Sequence, residues 1–227
     1  MDQPATRHIA PTTAPESGVA ARRPRGRPRK TVDERDDGNR RVELVRVAAK
    51  LFRRKGFDAT STRDIAAAVG MRSGSPFYHF KSKGALLHAV MEEGMHAAIE
   101  RQHEVLHKSE LQTTNPRGLL SVLIRNHFDV LLGPGNDFIP VMLYESRSIT
   151  ARQRATLAAL QGEYEAPWEP VLQALHASGQ LQADVKLARL LMFGALNWSV
   201  QWFDHRKGAS LDELSEAALA LFTHDLP

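Results

Sequence analysis

The tightest constraint on this chain is the punctuation between residues 58 and 87, DATSTRDIAAAVGMRSGSPFYHFKSKGALL. Ser61 stands at a helix cap, and Asp64 three residues on can return the hydrogen bond, a capping box with Asp in place of the usual Glu. The helix so opened runs from Thr62 to Val69 with Ile65, Ala66 and Val69 inward, and Gly70 breaks it. Met71 plugs the turn. A second short helix covers roughly Ser73 to Phe80. Pro76 is tolerated only in a first helical turn, where its missing N–H would be unpaired anyway, so this helix starts late, near Ser73 or Ser75. Ser82-Lys83 opens a longer helix with Ala85, Leu86, Val90, Ala97 and Ile99 on its apolar side. Two short helices, a tight glycine turn and a closing aromatic and basic patch are the layout of a helix-turn-helix. Its second helix fits the major groove of DNA.

The flanks are helical too. Val42, Val45, Ala48, Ala49 and Phe52 recur at three- and four-residue spacing from about Asn39, giving one apolar face. Gly56 stops this helix and Phe57 returns to the core. Beyond Arg101 no alternating strand pattern occurs. Asn115-Pro116 starts a helix reaching Leu132, and a short one follows to about Arg147. Thr150 to Ala177 reads as one long helix bent at Gly162, Pro167 and Pro170. Asp184 caps an apolar helix through His205, and Ser210 caps the last. The expectation is an all-α chain of about nine helices in three parts. Residues 1–37 form a disordered basic arm, 38–93 a three-helix DNA-binding domain, and 94–227 a helical ligand-binding and dimerisation domain.

Charge matters here by position. The chain of 227 residues carries a net charge of only +4, so its basic residues must cluster to signify a partner. Residues 22–30, RRPRGRPRK, hold six basic side chains and no acidic one. The arm around them has almost no large apolar residue and cannot offset its chain entropy by burial. Its Arg-Gly-Arg-Pro core resembles an AT-hook. Two readings stay open: Arg25 and Arg27 enter an A·T-rich minor groove, or the arm is a solvated basic tail.

Cysteine is absent, which rules out disulfides and thiolate catalysis. No signal-peptide pattern opens the sequence and no run of about 18 apolar residues occurs, so a cytoplasmic protein without a membrane partner is expected. His96, His103 and His107 share a helix, but no carboxylate-rich or Cys set completes a metal site, and solvated surface is the preferred reading. No nucleophile with a base, no phosphate loop and no HExxH motif occurs, so neither an enzyme nor a cofactor is expected.

Residues 40–93 resemble the DNA-binding domain of TetR-family transcriptional regulators. The resemblance rests on Phe52, Gly56-Phe57, Thr60-Ser61-Thr62-Arg63-Asp64-Ile65-Ala66, Gly70, Gly74-Ser75, Phe77-Tyr78-His79-Phe80-Lys81-Ser82-Lys83 and Leu86-Leu87. It implies a homodimer with one helix-turn-helix per subunit, an operator on double-stranded DNA and a small-molecule effector that releases it. Thr62, Arg63, Arg72, Ser73, Ser75, Tyr78, His79 and Lys83 then face DNA, with Thr62 and Lys83 at phosphates and Arg72 able to pair with guanine. Three residues depart from the family pattern: Pro76 replaces an aliphatic residue, Phe77 a Tyr, and Arg72 a small capping residue.

For the effector half, the apolar and polar mix points to Phe128, Met142, Tyr144, Trp168, Asn197, Gln201 and Trp202 as ligand-binding residues. Residues 194–203, with Trp198 and Trp202-Phe203, resemble family members that respond to acyl-CoA thioesters or to fatty and steroid-derived acids. Leu187, Leu191, Trp198, Leu214, Ala218 and Leu221 are the expected dimer interface, built as a four-helix bundle about a two-fold axis. The leading expectation is a ligand-responsive repressor of a palindromic operator. The alternative is an architectural DNA-coating protein with weak sequence preference.

Overall fold

The computed structural model describes residues 32–71, 76–109 and 115–224. Arg25, Arg27, Arg72, Ser73 and Ser75 lie outside the described residues. Ten α-helices form among the rest: α1 (Val32–Lys55), α2 (Thr62–Ala68), α3 (Pro76–His79), α4 (Lys83–Lys108), α5 (Pro116–Leu132), α6 (Phe138–Glu145), α7 (Ala151–Glu165), α8 (Trp168–Ala177), α9 (Val185–Trp198) and α10 (Leu211–Phe222). Nine have seven residues or more and α3 has four, so the all-helical expectation holds.

The caps behave as their chemistry dictates. The Asp64 backbone N–H donates to Ser61 Oγ at 3.1 Å and the Ser61 N–H donates to Asp64 Oδ2 at 2.9 Å. The same reciprocal box forms at Thr150 with Gln153 and at Ser210 with Glu213. Asn115 caps α5 with Pro116 in its first turn. At the end of α1, Gly56 adopts φ +83°, a left-handed stop. The buried Thr60 hydroxyl donates to the Gly56 carbonyl at 2.7 Å.

Five local expectations are corrected. α1 begins at Val32 rather than near Asn39. Its buried face is Leu44, Val45, Ala48, Ala49 and Phe52, and Val42 is 55% exposed, one helical step off that face. Ala97 on α4 is exposed while Ala98 is buried. Thr150 to Ala177 is two helices, because Pro167 supplies no N–H to carry the hydrogen-bond ladder onward. α9 likewise stops at Trp198, where Ser199 Oγ donates to the Leu196 carbonyl at 2.6 Å and the chain tightens into short 3-10 turns.

α4 is the shared spine. It packs on α1 in the helix-turn-helix half and on α5, α6 and α7 in the other. The α4–α6 crossing is close at Gly94, where an added Cβ would lie 2.5 Å from Phe138 Cβ. α6 is in turn pinned to the DNA-binding half at both ends. Arg53 donates to the Asn136 carbonyl at 2.9 Å and pairs with Asp137 at 3.3 Å, and the Phe57 N–H donates to Glu145 Oε1 at 2.8 Å. Gly94→Ala must therefore push α6 off α4 against two anchors. We expect a loss of about 1–3 kcal/mol, read by urea unfolding. An unchanged midpoint would show that the crossing is looser than this.

Candidate DNA-reading head and effector pocket

The head is assembled from α1 to α3 and the start of α4. Phe52, Ile65, Phe80, Leu86 and Leu87 are buried there, so Phe80 fills the small core. Arg41 covers the Phe80 ring at 5.1 Å. What remains outside is polar. Thr62 is half-buried at the first position of α2, beside the exposed Arg63. Tyr78 is 91% exposed, with His79 edge-on beside it. α3 begins at Pro76, with its proline in the first turn as expected.

Lys83 is placed differently from the expected phosphate contact. Its ammonium donates to the Phe57 carbonyl at 2.8 Å and the Thr60 carbonyl at 3.0 Å, and lies 4.1 Å from the Phe57 ring centre. Two of its three N–H donors are thus held by the α1–α2 loop, because that loop leaves carbonyls at a helix end that need partners. Asp64 is engaged similarly: hydrogen bonds from Ser61 hold its carboxyl below the usual carboxylate range.

The second half holds a buried polar chain. His127 on α5 is 5% exposed. Its Nδ1 lies 3.1 Å from the Tyr164 hydroxyl and its Nε2 3.2 Å from Asn197 Oδ1. An amide oxygen only accepts, so Nε2 carries the proton and Nδ1 accepts from the phenol. Burial pushes the imidazole down to about 4, and burial also pushes the Tyr164 phenol up. The imidazole stands edge-on to Trp168 and Phe193, at 6.0 and 5.3 Å between ring centres. Below them, the Trp168 indole N–H donates to Gln102 Oε1 at 3.1 Å, and Gln102 Nε2 donates to the Tyr164 carbonyl at 2.7 Å.

This chain borders a pocket of about 50 Å³ lined by Met95, Leu131, Ile139, Met142, Phe193 and the polar His127, Tyr164 and Asn197, among others. A wider groove of about 320 Å³ shares Ala98, Val130 and Ile139 with it and runs out past Arg101, Glu104 and Asn136. Of the expected ligand residues, Met142 and Asn197 line the pocket. Phe128 and Trp168 are fully buried packing residues beside it. Tyr144, Gln201 and Trp202 are exposed and stand away from its lining, because α6 turns Tyr144 toward Arg53 and α9 ends before Gln201. Sequence reasoning missed His127, Tyr164 and Gln102. A signal existed for the first: His127 falls in helical register with the buried Leu120, Leu123, Ile124 and Leu131.

α9 carries an unpaired apolar stripe. Leu187, Leu190, Leu191 and Trp198 are all more than half exposed, and Gly194 and Ala195 between them are exposed as well. Leu221 on α10 is 80% exposed. Leu214 and Ala218 instead turn inward, being half-buried and buried within the chain. They pack inside the subunit because α10 shows α5 and α9 its Leu214, Ser215 and Ala218 face.

The buried imidazole makes stability depend on pH. Its unfolded pKa is near 6.5, so below that value the unfolded chain takes a proton that the folded chain refuses down to about 4. Stability is thus at its full value above pH 6.5 and falls as pH drops. We expect a loss of about 2 kcal/mol between pH 7 and pH 5, measured by denaturant midpoint. The slope should flatten in His127→Gln. An equal slope in both proteins would place the proton elsewhere.

The comparisons with known proteins agree with this geometry. The model of the tetR family of bacterial regulatory proteins matches residues 44–90, and that of a tetracyclin repressor-like C-terminal domain matches residues 113–226. The HTH-type transcriptional repressor KstR2 of Rhodococcus jostii (strain RHA1) is 26% identical over 192 residues, covering 83% of this chain and 92% of that one. Among solved structures, the superantigen PfiT is 38% identical with a TM-score of 0.68, covering 81% of this chain and 95% of that one. AibR in complex with isovaleryl coenzyme A and operator DNA superposes with a TM-score of 0.73 over 81% of this chain and 97% of that one. At 21% identity it speaks to the fold alone. No helix among the described residues is long and apolar enough to cross a membrane. With a helix-turn-helix match followed by a C-terminal match that spans half of the chain, the protein belongs to the TetR family and is a DNA-binding transcriptional regulator, not an enzyme.

Proposed function

We propose that the protein is a cytoplasmic, ligand-responsive repressor that holds a palindromic operator as a homodimer and lets go when a small apolar or acyl-CoA-like effector fills the pocket. The observation that carries this reading is the double role of α6. Its Ile139, Met142 and Leu143 wall the pocket, and its two ends are tied to the DNA-binding half through Arg53 and the Phe57 N–H. A ligand that enlarges the pocket must move α6, and α6 cannot move without the end of α1. The two head positions then differ in ligand affinity, which is the condition for an effector to shift the equilibrium at all.

The apolar stripe of α9 supports the dimer. A row of Leu187, Leu190, Leu191 and Trp198 at helical spacing is a self-complementary face for a two-fold axis, with Trp198 as its anchor. Two heads so joined would meet successive major-groove faces about 34 Å apart. Thr62, Arg63, Tyr78 and His79 are the residues that would touch DNA, joined by Arg72, Ser73 and Ser75. Arg25 and Arg27 of the arm would add minor-groove contacts. KstR2 is named a repressor, and AibR is seen with both a CoA thioester and operator DNA, which favours the same class here.

Operator selection from random DNA, followed by binding with and without acyl-CoA thioesters, tests the reading. We expect a palindrome, and at least a tenfold loss of affinity with one thioester. Failure to select a palindrome, with no compound changing affinity, would leave the architectural DNA-coating protein instead. Removing residues 1–37 separates the two as well, weakening binding in a repressor and abolishing it in a coating protein. Leu191→Glu with Trp198→Glu should give monomers in analytical ultracentrifugation and weaken operator binding by orders of magnitude. A variant that stays dimeric places the interface elsewhere.

A further inference from the structure

The pocket's polar lining has a direction. Tyr164 O–H donates to His127 Nδ1, and His127 Nε2–H donates to Asn197 Oδ1. In this arrangement the Asn197 amide turns its nitrogen away from the ring. Its oxygen is held against the imidazole, and its Nδ2 donors find no partner among the described residues. Asn197 is also only half-buried and lines the pocket, so those donors are open to whatever enters.

The charges of the lining point the same way. Among the described residues no Lys or Arg lines the pocket. Its one carboxylate, Glu165, is already paired with Arg189. The imidazole stays neutral at physiological pH, since burial holds it near 4. A carboxylate entering here would lose its water without gaining a cation, at a cost of several kcal/mol. A neutral oxygen needs only a donor, and the Asn197 amide is one. We infer that this pocket selects a neutral carbonyl oxygen (ketone, ester or thioester) over an ionised carboxylate, and that Asn197 is the residue that reads it. The inference rests on the pocket being the effector site. It divides the candidate effectors: thioesters fit, free fatty or steroid-derived acids do not.

Size limits the buried part. About 50 Å³ corresponds to roughly four water-sized groups, and Met95, Leu131, Ile139, Met142 and Phe193 surround them. The carbonyl therefore enters with a short alkyl group, and any larger remainder lies in the adjoining groove.

The test uses the full-length protein near pH 7.5 with matched probes: 2-pentanone, butanoate, pentane and butyryl-CoA. Small-molecule affinities come from ligand-observed NMR and the thioester's from calorimetry. 2-Pentanone and butyryl-CoA should bind about tenfold tighter than butanoate or more. Asn197→Leu should weaken 2-pentanone by roughly fivefold to tenfold, the worth of one hydrogen bond, and leave pentane unchanged. Asn197→Asp, which keeps the shape but replaces the donors with a charge, should do at least as much. Butanoate binding as well as 2-pentanone would overturn the inference. So would an equal effect of Asn197→Leu on pentane and 2-pentanone, which is what a packing role gives, or no binding of either carbonyl compound. Operator release is measured separately. Carbonyl selectivity without release would sink the effector role and leave the pocket chemistry standing. Release by a compound indifferent to Asn197 would do the reverse.

Discussion

A single buried amide, Gln102, joins three helices of the C-terminal half. Pro167 ends α7, and the end of a helix leaves carbonyls without intrahelical partners. Gln102 reaches from α4 to take up the Tyr164 carbonyl on α7, and its oxygen accepts the Trp168 indole N–H on α8. It is 1% exposed, so each of those groups would be stranded without it. Trp168, Tyr164, Phe193 and His127 then pack ring against ring above it, and the pocket opens on their far side. Tyr164, and through it His127, takes its place in the pocket beside this seal.

The same economy governs the link between the halves. α4 runs through both, and Gly94 lets α6 approach it closely enough for α6 to touch the pocket and the head at once. Arg53 and Glu145 fasten the two ends of α6 with charge-assisted hydrogen bonds, which are stronger than neutral ones. An ionic ladder runs outward from the groove: Arg101 pairs with Asp129, which pairs with Arg125, which pairs with Asp212 on α10. Groove, spine and the outer helices are therefore mechanically continuous.

The helix-turn-helix was legible because its signals are local. A cap at Ser61, a stop at Gly56, a break at Gly70 and a proline that must lie in a first turn act within four residues of themselves. α5, α9 and α10 began where Asn115, Asp184 and Ser210 said they would. Helix ends set by competition were not legible. Whether Pro167 bends or divides a helix depends on what receives the freed carbonyls, and here Gln102, 62 residues before Tyr164, receives one. The exposed α9 stripe was visible as periodicity, but periodicity alone could not say that Leu191 and Trp198 face outward while Ala218 faces in.

The sequence by itself determined the fold class, the reading head and the partner class, since helix periodicity, capping and the Thr60–Ala66 and Phe77–Lys83 motifs need only short-range information. The tertiary structure alone decided what lines the pocket. His127, Tyr164 and Asn197 lie 37 and 33 residues apart in turn, and no local rule relates them. It also decided that Lys83 serves the α1–α2 loop. A hydrogen bond is specified by where donor and acceptor meet in space, and that is settled only when the helices pack.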